Sequence, residues 1–153
     1  ITQKNLSIGS FTVTGPSSNS NGVITYSSSN TNVATISGTT INLIAAGSVT
    51  ITATQASSAS FNSGTITTNL IILGASGNFT SFNFTGIDLS SSNLTNSNLT
   101  NANLTGATIT NTDFTNVNIT GANITGVNFS SKQKLQLLKN SNNRTNNSIL
   151  LNT

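Results

Sequence analysis

The chain has 153 residues, a formal net charge of +3, and no Cys, Met, Trp, His or Glu; its charged side chains are Lys4, Asp88, Asp113, Lys132, Lys134, Lys139 and Arg144. Two Asp are therefore the only ordinary acid–base groups, zinc has no thiolate or imidazole, calcium has too few carboxylates, and the many Ser and Thr have no activating base. The inventory excludes most catalysis and gives no reason to expect a metal, a cofactor or an enzyme.

Four of the five cations lie between Lys132 and Arg144. The rest of the chain has no basic stripe to neutralise phosphates, so nucleic acid is not an expected partner, and the cationic cluster reads as a solvated helix and linker. No run of 18 apolar residues is present, so no membrane insertion is expected. The lack of Cys fits a protein of the cell surface or a virion surface. The absence of an initiator Met and of a signal peptide points to an excised or processed chain.

Residues 1–74 carry short runs rich in Val, Ile and Thr between clusters of Gly, Ser and Asn. Runs at 11–14, 23–26, 33–36, 40–44, 49–54 and 65–73 read as strands. In the fifth, Val49, Ile51 and Ala53 alternate with Thr50, Thr52 and Thr54, marking one buried and one wet face. Six strands at a spacing of roughly 8–12 residues, with turns between them, predict a small antiparallel β-sandwich. The stretch YSSSNTNVATISG from Tyr26 to Gly38, followed by GSVTITA from Gly47 to Ala53, resembles the bacterial immunoglobulin-like domains of group 2; that family often has Trp where Tyr26 stands. The resemblance implies an extracellular spacer or adhesion module, and it transfers no binding residue. Gly74-Ala-Ser-Gly77 is a small-residue junction and the expected boundary.

Residues 77–131 repeat every five. Phe79, Phe84, Leu89, Leu94, Leu99, Leu104, Ile109, Phe114, Ile119, Ile124 and Phe129 are large and apolar without a miss. Each is preceded by Asn or Asp, except after Thr108, and each is followed by Thr or Ser. A period of five suits neither a helix nor a flat strand; it suits a solenoid that turns a corner at each unit. Units such as Ser97-Asn98-Leu99-Thr100-Asn101 and Ala102-Asn103-Leu104-Thr105-Gly106 resemble the pentapeptide-repeat family. That resemblance implies a right-handed four-sided β-helix, four units per coil, with the centre and the residue two before it pointing inward. The latter positions are mostly small, as a narrow filled interior requires, with Phe82 and Ile87 the exceptions in the first coil. These two are expected to cover the top of the coil or to pack against the first domain.

Residues 132–153 are expected to form a capping helix and tail, or to open a further domain. Ser130 or Ser131 can serve as N-cap, and Leu135 and Leu138 fall on one helical face that would close the open end. The whole is thus expected to be all-β: a sandwich, then a β-helix, then a cap.

The residues after the centres, Thr80, Thr85, Thr95, Thr100, Thr105, Thr115, Thr120 and Thr125, are expected to form outward ladders on all four faces and are the candidate binding surface. Such ladders resemble those of ice-binding proteins, but no single flat face is singled out, and Thr is common at exposed β positions. Mimicry of DNA, which resembles the action of some pentapeptide-repeat inhibitors of topoisomerases, needs acids where this repeat has Asn. Asn-x-Ser/Thr sequons follow automatically from the repeat and are weak evidence of glycosylation. The expectation is a non-enzymatic structural or adhesion module whose partner is a protein, a glycan or another copy of the chain, with subunit stacking as the alternative because coil ends are unpaired edges.

Overall fold

A computed structural model describes residues 2–146; Ile1 and the tail 147–153 lie outside the described residues. The chain is mostly β and divides into two compact units, Ile1–Ile72 and Leu73–Thr153.

The first unit holds β1 (Thr2–Asn5), a 3-10 turn (Leu6–Ile8), β2 (Ser10–Thr12), β3 (Ile24–Ser28), β4 (Ala34–Ser37), β5 (Thr40–Leu43), β6 (Gly47–Gln55) and β7 (Gly64–Leu73). They form a four-stranded sheet in the order β1-β7-β6-β3 and a three-stranded sheet in the order β2-β5-β4. The pairings β2–β5, β3–β6, β4–β5 and β6–β7 are antiparallel, with Val49 opposite Leu70 and Ile51 opposite Thr68 in the longest. Both sheets feed one core of Ala34, Ile41, Leu43, Val49, Ile51, Leu70 and Ile72, with Leu6, Phe11, Val33 and Ile36 packed against it. The alternation along β6 drives this: Val49, Ile51 and Ala53 are buried while the Thr between them are half-exposed.

One strand escapes a sequence reading. β1 is Thr-Gln-Lys-Asn and has no apolar alternation to betray it; it joins the sheet at its edge beside β7. Close approach also dictates one glycine. A Cβ on Gly22 would lie 2.0 Å from the Ala56 carbonyl oxygen, where Ala56 N–H bonds Val23 O at 2.9 Å.

In the second unit the chain returns on itself every twenty residues. Parallel bridges join Asn78 to Asn98, Asn98 to Asn118, Asn83 to Asn103 and Asn103 to Asn123. The six centres from Phe79 to Leu104 donate their N–H one coil down, Phe79 to Asn98 O at 2.8 Å and Leu99 to Asn118 O at 2.7 Å, while Asn98 N–H returns to Gly77 O at 2.9 Å. All eleven apolar centres are buried, none more than 8 % exposed. Of the inward positions before them, Phe82 and Ile87 alone are half-buried. The Phe82 ring lies 4.8 Å from that of Phe84 and 6.3 Å from that of Phe79, so it extends the aromatic cluster of the first coil. Helix α1 (Ser131–Lys139) and a 3-10 segment (Ser141–Asn146) follow.

Candidate functional site

The outer surface of the repeat is built from one turn used ten times, after every centre from Phe79 to Ile124. The residue after each centre and the next one form a β-turn closed by a bond such as Phe82 N–H to Phe79 O at 3.1 Å. The third residue of that turn has positive φ, as in Ser81, Asn96, Asn101 and Gly106 at 56° to 64°. A positive φ at that place is the type II signature, and it explains why the position holds only Ser, Asn or Gly. The Asn or Asp before the centre fixes the second residue. Asn83 Oδ1 accepts the Thr85 N–H at 3.0 Å and the Thr85 hydroxyl at 2.6 Å; Asn78–Thr80, Asn98–Thr100, Asn103–Thr105 and Asn118–Thr120 repeat both bonds. Asn93 and Asn123 hold the N–H of Thr95 and Thr125 at 3.0 Å in the same way. This is the Asx-turn, and it is the reason for the Asn-x-Thr spacing.

The candidate Thr are thereby relocated. They sit at the corners, not on flat faces; the faces carry the bridging Asn. Thr80, Thr85 and Thr125 are exposed, and Thr95, Thr100, Thr105, Thr115 and Thr120 are only half so. Two of them also meet the C-terminal segment. The Thr115 hydroxyl accepts from Gln136 Nε2 at 3.0 Å, and the Thr120 hydroxyl shares its one proton between Asn118 Oδ1 and the Asn142 carbonyl. Thr115 and Thr120 therefore leave the candidate surface, because the helix and the turn after it lie on their corners. The corners stacked at intervals of twenty differ in what they expose. Asn116 Nδ2 reaches Asn96 Oδ1 at 3.2 Å, and Asn101 covers Gly121, whose Cβ would lie 2.3 Å from its Oδ1. Gly86, Gly106 and Gly126 share another corner with Thr85, Thr105 and Thr125, and Cβ atoms on Gly86 and Gly106 would meet nothing within 4 Å. At that corner Gly86 and Gly106 therefore face open space, whereas Gly121 does not.

Both acids are used as turn-formers. Asp88 accepts from the Ser90 hydroxyl and N–H, and these bonds hold its carboxyl below the usual carboxylate range. Asp113 Oδ1 takes the Thr115 hydroxyl at 2.7 Å and N–H at 2.9 Å, and Gln136 Nε2 at 2.8 Å. The Thr115 bonds depress its pKa most, and the nearby Lys132 ammonium adds to the effect.

The lower end of the stack corrects the expected cap. Leu135 is 61 % exposed and Leu138 only half-buried; the buried residues of the segment are Gln133, Leu137 and Asn143. The physical reason lies in what a coil leaves open. Its last ladder ends in peptide N–H and C=O groups, which a Leu face cannot satisfy. The amides do. Phe114 N–H, which by the ladder's spacing points to a coil that does not exist, donates to Gln136 Oε1 at 3.2 Å; Ile119 N–H donates to Asn143 Oδ1 at 2.6 Å. Gln133 Nε2 serves the carbonyls of Ile109 and Thr112 at 2.7 and 3.0 Å. Asn143 Nδ2 serves Val117 O at 2.8 Å, and Asn140 Nδ2 serves Asn116 O at 3.1 Å. Side-chain amides thus imitate the peptide groups of a further coil, and Leu137 fills the apolar centre. The helix begins on a capping box, Ser130 with Gln133. Gln-x-x-Gln-Leu-x-x-Asn at helical spacing was the available sequence signal; apolarity is the wrong property to look for at such an end.

Among the described residues no group of three or more metal-ligating side chains occurs, and no helix is long and apolar enough to cross a membrane. Comparison with known families matches residues 9–66 to the bacterial Ig-like domain (group 2) and residues 78–111 and 98–130 to pentapeptide repeats, in eight copies. Neither the search of curated proteins nor that of solved structures gives a match. The two family matches occur in the order that the resemblances implied, and domains of these kinds suggest a structural or protein-interaction module.

Proposed function

We propose that the chain is a non-enzymatic structural and adhesion module displayed on a cell or virion surface. In this reading residues 1–74 form an Ig-like β-sandwich that acts as a spacer. Residues 77–131 form a right-handed four-sided β-helix that presents a polar surface to a glycan or protein. Residues 132–153 supply its cap and tail. No cofactor, metal or nucleic acid takes part.

One observation carries the reading: the outer turns are locked before any partner arrives. The hydroxyls of Thr85 and Thr105 already donate to Asn83 and Asn103, leaving the side-chain Nδ2 groups of those Asn and the hydroxyl lone pairs to meet a partner. Such a surface loses little side-chain freedom on binding, and its near-absence of charge suits a neutral, hydroxyl-rich ligand. The open corner of Thr85-Gly86, Thr105-Gly106 and Thr125-Gly126 is the best candidate, because glycine lets a sugar ring approach the backbone. The test is a glycan-array screen of the full chain beside Gly106→Asn. Asn keeps the positive φ, as Asn101 does, but obstructs the corner. Binding by the wild type that falls about tenfold or more in the variant, equivalent to about 1.4 kcal/mol, supports the reading. Binding unaffected by Gly106→Asn moves the surface elsewhere, and no binding at all removes the glycan. The amide-closed lower end counts against subunit stacking as the primary role.

A further inference from the structure

We propose that the second unit carries a site for a sugar acid, a pyranose bearing one carboxylate, in the cavity below the corner Thr110-Asn111. The site begins with one exception in the sequence. Thr108 stands where every other unit of the repeat has Asn or Asp. Elsewhere that residue accepts the N–H two residues on, as Asn103 does from Thr105 at 3.0 Å and Asp113 from Thr115 at 2.9 Å. A threonine hydroxyl is a weaker substitute for that carbonyl oxygen. Among the described residues, accordingly, neither the N–H nor the hydroxyl of Thr110 has a partner. The ladder opens at the same place. Parallel bridges join Asp88 to Thr108 above and Asn103 to Asn123 beside it, but among the described residues none joins Thr108 to Asn128. Asn128 closes no turn of its own either, because the Ser130 N–H goes instead to Gln133 Oε1 at 3.0 Å where the chain enters α1. The two layers part and leave a cavity of about 250 Å³, lined by residues 110–112, Asn128, Ser130, Lys132 and Gln133.

The lining divides into groups already spent and groups still open. The Thr112 hydroxyl donates to Leu89 O at 2.8 Å, the Ser130 hydroxyl to Gln133 Oε1 at 3.0 Å, and Gln133 Nε2 to the Ile109 and Thr112 carbonyls, so these form a fixed wall. Among the described residues the side chains of Thr110, Asn111 and Asn128 have no hydrogen-bond partner, and Lys132 is exposed beside them. The Lys132 ammonium with the Thr110 N–H and hydroxyl offers donors to a carboxylate. The amides of Asn111 and Asn128 both donate and accept, which is what neighbouring sugar hydroxyls require. A metal cation would be repelled by Lys132, and an inorganic oxyanion would leave the two amide oxygens unused. Asp113, the acid that Lys132 influences, does not line the cavity, and its Oδ1 already takes three hydrogen bonds. The site is separate from the Gly86 and Gly106 corner and does not depend on a neutral glycan binding there. One sugar ring in an open polar cavity binds weakly, with Kd on the order of 10⁻³ M.

The test is a residue-resolved NMR titration of the full chain with sodium glucuronate up to about 20 mM, with glucose and sodium phosphate as parallel probes. Saturable shifts at Thr110, Asn111 and Asn128 are expected with glucuronate, and affinity about tenfold weaker or worse with either other probe. Lys132→Gln, at an exposed position, is expected to weaken glucuronate about tenfold. Thr108→Asn is the sharper variant. It supplies the missing acceptor, engages the Thr110 N–H and hydroxyl as in the other units, and is expected to weaken glucuronate about tenfold while leaving the melting temperature equal or higher. Loss of binding in a protein at least as stable as the wild type cannot be assigned to unfolding. Absence of saturable shifts with glucuronate overturns the proposal, as does a Thr108→Asn protein that binds like the wild type. Phosphate binding as well as glucuronate also overturns it, by reducing the cavity to a general anion contact. Glucose binding equally well overturns it by removing the carboxylate from the recognition.

Discussion

At the scale of single residues, the repeat tolerates or rejects a side chain according to its neighbour twenty residues away. Gly86 and Gly121 have the same backbone, φ of 65° and 68°, but a Cβ at Gly86 meets nothing whereas one at Gly121 meets Asn101 Oδ1. Gly86→Asn is therefore expected to leave the melting temperature within a degree or two, equivalent to about 0.5 kcal/mol or less, since Asn already occupies this conformation elsewhere. Gly121→Ala is expected to cost about 1–3 kcal/mol in a denaturant melt, from positive φ and collision together. Asp113 gives a pH signature. Its folded pKa lies below the value near 3.8, so the stabilisation it brings is complete above that range and disappears as the pH falls through the folded value. Thermal melts are expected to be flat from neutral pH down to about 5 and to drop below about 4. Asp113→Asn keeps the Oδ1 acceptor and should lessen the drop; Asp88, whose pKa is lowered in the same direction, retains its share.

At the scale of elements, the eleven centres, the small inward residues and the positions of most strands were legible because burial writes itself into apolar spacing. Polar functions were not. The cap announces itself by amide groups that pair with peptide groups, and a reading based on Leu135 and Leu138 looked for the opposite chemistry. Likewise the Thr after each centre was legible as outward but not as a corner, since the turn is fixed by the positive φ of the residue that follows it. β1 escaped because an edge strand held by its backbone needs no apolar side chains. The cap is testable on the same logic. Gln133→Leu keeps the volume but removes a donor from the carbonyls of Ile109 and Thr112, and Asn143→Leu removes the side-chain partner of Ile119 N–H and one donor to Val117 O. Each is expected to lower stability by about 1–3 kcal/mol, while Leu135→Ser, at an exposed position, changes it by less than about 0.5 kcal/mol. Equal losses for Gln133→Leu and Leu135→Ser in urea melts would restore the apolar cap.

At the scale of the whole molecule, the dominant fact is how little charge there is: two acids and five bases in 153 residues, with four bases gathered between Lys132 and Arg144. Long-range repulsion is thus weak everywhere except at the C-terminal segment, and association must be decided by short-range contacts. Salt separates the two. Sodium chloride screens charge over distances of about 10 Å at about 0.1 M but leaves apolar burial nearly unchanged, whereas sulfate strengthens burial by being excluded from exposed surface. If copies meet through the uncharged body of the chain, raising sodium chloride from about 20 to about 500 mM should alter the association constant less than twofold, while about 0.5 M sodium sulfate should raise it several-fold. If they met through the Lys132–Lys139 helix, like charges would oppose the contact and sodium chloride alone would strengthen it markedly. Sedimentation in the two salts tells these cases apart without any substitution, because only the second involves groups that a monovalent salt can screen.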